Sequence, residues 1–238
     1  MRYAFSRREL QFLNKNIYNN QLHGIPKPTI PFVTMKQKLI NHDIISYNEN
    51  KELKIESVYK SLFDSWRNME HMIEFKNDTY DLDIVLYNDT HIITIEEDGY
   101  TCEIGYFLNE PVGLRNYILN KLNMSWTINF DSTKELFFTL NDSEAKQLFL
   151  NNEEILTKLS FKHHVHKNTL KELVSKTSNN AISSTLYITN LKDVVSSEAI
   201  ICANESGHYL HQRTMACGQV QHIVSICESK KIIESILV

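Results

Sequence analysis

Between positions 208 and 227 the chain gathers His208, His211, Cys217, His222 and Cys227, the side-chain types that zinc favours. Whether they can share an ion depends on strand register. A hairpin turning at Gly218-Gln219 sets Cys217 opposite Val220, Met215 opposite His222 and His211 opposite Ile226, with Cys227 on the other side of the sheet. His211 and His222 then stand four residues apart along the ladder, on the order of 13 Å at about 3.3 Å per residue. Only Cys217 and His222 stay near one another, two ligands where three or four are needed. The expectation is a pair of half-buried strand histidines and no metal.

A second histidine concentration, His163-His164-Val165-His166, places three imidazoles in four residues, a pattern that can bind a transition metal or sense acid pH. No Cys, Asp or Glu in the same stretch completes a ligand set, so a polar loop between two helices is expected. No G-x-S-x-G elbow offers a nucleophile, and neither G-x-G-x-x-G nor G-x-x-x-x-G-K offers a phosphate loop. Cys102 and Cys217 fall in strand-like runs where burial makes a thiol inert, and the four cysteines form no C-x-x-C pair, which predicts reduced core thiols. The carboxylates Asp81/Asp83 and Glu96/Glu97/Asp98 read as an acidic, solvated sheet edge that discourages edge pairing. The chemistry therefore predicts a protein that is not an enzyme and carries no cofactor. A small hydrolase or metal enzyme using Cys217 and His222 is the catalytic alternative.

The elements that position these residues can be read from spacing. Ser6-Arg7-Arg8-Glu9 is a capping box, so a helix begins at Arg7, and His23-Gly24 before Pro26, Pro28 and Pro31 is its expected end. Met35, Leu39 and Ile40 predict a short second helix; Val58, Leu62, Phe63 and Trp66 predict a third with its stripe facing inward. From Tyr80 the period becomes two, with Leu82, Ile84 and Leu86 alternating with Asp81 and Asp83 as in a strand with one wet face. Asp98-Gly99 is read as a two-residue hairpin loop, pairing Ile95 with Cys102 and Ile93 with Ile104. Pro111 starts a helix. Helix starts at Asn141 and Asn151-Asn152 and the stripe after Asn168 predict three short helices between 142 and 177, followed by strands around 186–188 and 199–202, the hairpin at Gly218 and a last helix from Ser229.

Bulk properties narrow the class. The chain has 238 residues, 42% hydrophobic and 23% charged, enough to bury a full core, and a formal net charge of −4 from acids and bases spread along it. No cluster of Lys and Arg suits a nucleic-acid surface, and no apolar run reaches the ~18 to 20 residues needed to span a bilayer. No signal stretch precedes Arg7, so a cytoplasmic protein is expected. Phe63, Trp66, Tyr100, Tyr106, Phe107 and Tyr209 supply aromatic surface of a kind enriched at interfaces.

The chain also states one design twice. Strand, glycine turn, strand and helix run from Tyr87 to Leu122 and again from Leu210 to Val238; Gly99 and Gly218 are 119 positions apart, Leu114 and Ile232 118. This predicts an α+β, pseudo-twofold duplicated domain with a central antiparallel sheet flanked by helices. Its halves are 1–122 and 123–238, packed as one unit.

The order of elements resembles the EspG-type proteins associated with ESX secretion, chaperones of type VII systems, and firmicute counterparts such as EsaE. The stretches that carry the resemblance are FSRRELQFLN, GIPKPTIPF, the first strand-hairpin-helix unit from Tyr80 to Leu122 and the closing unit from Gly207 to Val238. It implies a chaperone or adaptor that holds a helical type VII substrate or toxin soluble until the secretion ATPase takes it. The resemblance further implies that the partner is engaged by a loop between strands of the first half together with helices of the second. The positions here that fit are Asn88, Asp89 and Thr90 or the turn at Asp98-Gly99, with His163, His164 and His166 in the helical stretch near 162–176. An immunity protein that neutralises a toxin is the alternative binding function.

Overall fold

The computed structural model describes residues 1–76, 81–122, 136–150, 152–178, 183–193, 195–204, 207–216, 219–227 and 229–237. Tyr80, Cys217 and Gly218 lie outside the described residues. Contacts divide the chain into two compact units, Met1–Glu110 with Asn190–Val194, and Pro111–Thr189 with Val195–Val238. The helix from Pro111 therefore groups with the second unit.

In the first unit, Ser6 links strand β1 (Arg2–Phe5) to helix α1 (Arg7–Asn16) through the expected capping box: its hydroxyl accepts from Glu9 N–H, and the Glu9 carboxylate accepts Ser6 N–H at 2.7 Å. Glu9 is buried and pairs at 3.0 Å with Lys38 of α2 (Met35–Asn41). Helix α1 stops well before Gly24, because Asn19 and Asn20 take positive φ and Asn14 turns its amide onto both the N–H and the C=O of Leu22. After the small hairpin β2 (Ile45–Tyr47) and β3 (Leu53–Ile55), α3 (Ser57–Arg67) buries Leu62, Phe63 and Trp66 but leaves Val58 exposed, contrary to the inward stripe read from spacing.

Strands β4 (His71–Lys76), β5 (Asp83–Tyr87), β6 (His91–Asp98) and β7 (Thr101–Leu108) complete this unit, in the sheet order β1-β7-β6-β5-β4, with antiparallel ladders throughout. Helices α1 and α3 close over Ile84, Leu86, Ile93, Ile95, Cys102 and Ile104 to make one apolar core. The hairpin differs from the expected register. Asp98 pairs with Thr101, so Gly99-Tyr100 is the loop, Ile95 faces Ile104 and Cys102 faces Glu97. Gly99 has φ +62° and Tyr100 does not enter positive φ, the pattern of a type II′ turn with glycine first. The separation of faces survives, because moving the loop by one residue shifts each partner by two. Strand β5 also lacks its wet face: Ile84, Val85, Leu86 and Tyr87 are all buried.

In the second unit, β8 (Leu136–Asn141) runs into α5 (Asp142–Phe149) through another capping box, Asn141 with Glu144, and Glu144 pairs with Lys162 of α6 (Glu153–His163). Helix α7 (Lys167–Ser178) follows, and the three helices bury Leu148, Leu156, Leu159, Leu170 and Leu173 against Phe138, Leu140 and Val224. Strands β9 (Ser183–Asn190), β10 (Val195–Asn204), β11 (Gly207–Ala216) and β12 (Gln219–Cys227) give the order β9-β10-β11-β12-β8. Helices α4 (Pro111–Lys121) and α8 (Ser229–Ile236), which each follow a hairpin, meet through Arg115 and Glu234 at 3.7 Å.

Each unit thus lays its first strand beside its last and enters a capped helix from that edge. The duplication is tighter than glycine spacing suggests. Asp98 to Ala216, Thr101 to Gln219 and Leu114 to Ile232 are all 118 positions apart, so one offset relates both hairpin pairings and both following helices. No helix among the described residues is long and apolar enough to cross a membrane.

Candidate functional site

The β5–β6 loop is built around one side chain. Asn88 Oδ1 accepts from the N–H groups of Thr90 and His91 at 2.9 and 2.8 Å and from the Thr90 hydroxyl at 3.0 Å, while Asn88 Nδ2 donates to Asn68 O. Asn109 N–H donates to Thr90 O, tying the loop to the end of β7. Beside this set loop Leu108 is 70% exposed and Phe107 is partly so. The turn at Asp98 and Gly99 lies at the other end of β6. Eight residues of strand separate the two, roughly 25 Å at about 3.3 Å per residue, so they do not share a compact site. Tyr100 is 93% exposed at that far end.

In the second unit the α6–α7 connection carries the other expected positions. His164 caps α6 in the left-handed conformation (φ 55°), His164 and His166 are exposed, and with Ser160, Phe161 and Val165 they line a cleft of about 300 Å³. Phe161 stands 80% exposed at its rim. His163 turns inward instead. Its ring tilts against Phe138, its Nε2 has no hydrogen-bond partner among the described residues, and burial, then Lys162, hold its pKa below the usual histidine value. The three imidazoles therefore do not converge.

A different histidine pair does converge. His211 pairs in register with Val224 and His222 with Arg213, which makes the two histidines diagonal neighbours on one face instead of four residues apart. His211 Nε2 lies 2.9 Å from His222 Nδ1, the rings are nearly parallel, and His222 Nε2 reaches Asp142 Oδ1 at 3.3 Å. The histidines are neighbours, contrary to the expected separation of about 13 Å, because Ala216 pairs with Gln219 and so brings Val224 instead of Ile226 opposite His211. Phe149 tilts onto the His211 ring, and Lys146 pairs with Asp142. Lys146, and after it His222, hold the Asp142 carboxyl below its ordinary value, whereas burial pushes His211 down to about 4. Together with Ala145, Leu150 and Arg213 these side chains line a pocket of about 500 Å³. Among the described residues no three His, Cys, Asp or Glu side chains are grouped to hold a metal ion.

No protein-family model matches the chain, and no curated protein matches it. A solved structure does: the Mycobacterium tuberculosis type VII secretion system chaperone EspG5, in complex with the PE25–PPE41 dimer. The TM-score is 0.59 at 8% sequence identity, and the match covers 100% of this chain and 96% of that one. In fold, this chain is similar to EspG5. At 8% identity the likeness belongs to the order and packing of elements and not to residues, so the site must be argued from side chains here.

The signal for the missed histidines was present in the duplication. With the offset of 118, His211 occupies the place of Ile93 and His222 that of Ile104, both fully buried in the first unit. Two core isoleucines in one copy of the EspG5-like pattern are thus two hydrogen-bonded imidazoles in the other.

Proposed function

We propose that this chain is a non-enzymatic cytoplasmic chaperone or adaptor that binds a helical type VII secretion substrate or toxin and keeps it soluble and competent for export, handing it on to the secretion ATPase. The observation that carries this reading is the likeness in fold, across the whole of this chain, to EspG5, a type VII secretion system chaperone in complex with the PE25–PPE41 dimer. Two local features favour a role in binding proteins. In the first unit the Asn88–Asp89–Thr90 loop is fixed by its own hydrogen bonds beside exposed Leu108, which limits the entropy lost on docking. In the second, Phe161 overhangs the cleft at His164 and His166, an apolar anchor with a polar rim. The Asp98-Gly99 turn, at the far end of β6, is the weaker of the first-unit candidates.

The test is coexpression with helical proteins encoded beside its gene, followed by size-exclusion chromatography of the pair. A defined complex that keeps the partner soluble, weakened by Leu108→Asp or Phe161→Asp, is the expected result. A chain that stays alone with every such partner overturns the reading. A complex that abolishes a toxin's catalytic activity identifies an immunity protein instead.

A further inference from the structure

The pocket around His211 has features that chaperoning of a secreted protein does not require. Burying two imidazoles where the other copy buries Ile93 and Ile104 brings polar groups into a core and needs partners to offset their desolvation. Those partners form a chain with a direction. Asp142, held ionised by Lys146, accepts a hydrogen bond from His222 Nε2–H; His222 Nδ1 is then a lone pair and accepts from His211 Nε2–H; His211, which lines the pocket, is left with a second lone pair at Nδ1. No described residue hydrogen-bonds His211 Nδ1. Arg213, whose backbone pairs with Glu198 on one side and His222 on the other, is exposed and also lines the pocket. Phe149, Ala145 and the exposed Leu150 make the rest of the lining apolar.

One added proton inverts this chain. With the charge on His222, beside the Asp142 carboxylate, His222 Nδ1–H donates to His211 Nε2, and His211 Nδ1 becomes a donor. A cation on His211 itself is disfavoured by burial, then by His222 and by Arg213, whereas His222 lies within reach of the Asp142 carboxylate. We propose that this pocket is a proton-linked site for an apolar carboxylate, its oxygens held by Arg213 and by His211 Nδ1–H and its apolar part lying on Phe149 and Leu150. Binding takes up one proton from solvent onto the histidine pair. The charged groups that face the pair are Asp142 and Lys146 from α5 and Arg213 from β11, with Glu198 of β10 as the register partner of Arg213; β8 contributes no titratable residue. This site is independent of the chaperone reading.

The probe is N-acetyl-leucine, with N-acetyl-leucinamide as the control that lacks the carboxylate, titrated into the full chain while histidine-selective ¹⁵N–¹H spectra are recorded at about pH 6 and about pH 8. The acid is expected to bind and move His211 Nδ1 from lone-pair to N–H character. Its affinity should fall by up to about tenfold for each pH unit above the pair's titration, as uptake of one proton requires. Arg213→Gln, at an exposed position, should abolish binding; His211→Ile with His222→Ile, which restores the first unit's residues, should fold and bind without pH dependence. A short peptide ending in a free leucine acid separates sources: tighter binding than N-acetyl-leucine assigns a peptide terminus, equal binding a free acid. Equal binding of the amide, affinity flat between the two pH values, unchanged binding by Arg213→Gln, or no binding at tens of millimolar each overturns the proposal.

Discussion

Arg7 and Glu97 form a two-toothed ion pair that pins the start of α1 to the end of β6. Arg7 Nε reaches both Glu97 oxygens at 2.9 Å, its terminal nitrogen closes on Oε2, and the Glu97 side chain is only 3% exposed. Leu82 N–H donates to the same oxygen at 3.0 Å. Removing the cation leaves the carboxylate buried with only the Leu82 N–H and the Cys102 thiol beside it. Arg7→Met should therefore destabilise the chain by about 2–3 kcal/mol, below the ~3–5 kcal/mol of a fully buried pair because Arg7 keeps partial solvent contact. Glu97→Gln, which retains shape and a hydrogen bond, should cost less. Urea denaturation of the two variants checks the order; a larger loss for Glu97→Gln would count against it.

That pair also explains which parts of the fold could be read from sequence. The Ser6–Glu9 box, the starts at Asn141 and Asn152 and the helix at Pro111 are local: cap and partner lie within four residues, so the sequence contains both. The hairpin register is not local. Asp98-Gly99 and Gly99-Tyr100 are equally good two-residue loops by composition. Choosing between them depends on Glu97 standing opposite Cys102 within reach of Arg7, some ninety positions away. The same one-residue ambiguity hid the His211–His222 contact. Strand β1, only four residues long, is too short to show a period. Val85 and Tyr87 reveal a covered second face that Asp81 and Asp83 had argued against. Residues 88–90 and 164–166 lie in connections whereas His163 closes α6, and the side-chain directions, His163 inward and His164 outward, depend on the helix end at His164.

The histidine pair gives the chain a characteristic pH dependence. Burial holds His211 at about 4 when folded, against about 6.5 unfolded. Between those values the unfolded chain binds the proton and the folded chain does not, so stability falls as pH drops from about 6.5 to about 4 and levels below that. The loss attributable to this site is roughly 3 kcal/mol. Midpoints of urea unfolding measured across this range should show the slope, and His211→Ile with His222→Ile should flatten it. A slope unchanged in the double variant would assign the effect to other groups.

Gly105 is fixed by space. A Cβ there comes within 3.0 Å of Thr94 Oγ1 and of the Phe107 ring, across the β6–β7 ladder where Thr94 and Gly105 pair. Thr94 is buried and β-branched, so it yields little. Gly105→Ala should cost about 1–3 kcal/mol through overpacking, and adding Thr94→Ala should recover part of it, an interaction that a double-mutant cycle in thermal unfolding measures directly.

The two capping boxes offer a test of the duplication itself. Ser6 and Asn141 each end an edge strand, cap the next helix and set an acid, Glu9 or Glu144, that pairs with a lysine on the following helix, Lys38 or Lys162. Because the caps do the same work, exchanging them as Ser6→Asn and Asn141→Ser should leave stability nearly unchanged, whereas Ser6→Ala and Asn141→Ala should each cost about 1 kcal/mol. Unequal alanine losses would mean that one edge is held by something other than its cap.

Cys102 should behave as a core residue although it neighbours a charge. Burial, then the Glu97 carboxylate opposite it, pushes its thiol up to about 12, so the reactive thiolate is scarce at neutral pH. Iodoacetamide at about pH 8 should leave Cys102 unmodified in the folded chain and alkylate it in urea, followed by peptide mass spectrometry. In Glu97→Gln the adjacent negative charge is gone but burial remains, so native alkylation should rise only slightly. Fast alkylation of the folded wild-type chain would mean that the β6–β7 hairpin opens at Cys102, and the Arg7–Glu97 clasp would then not be holding that edge closed.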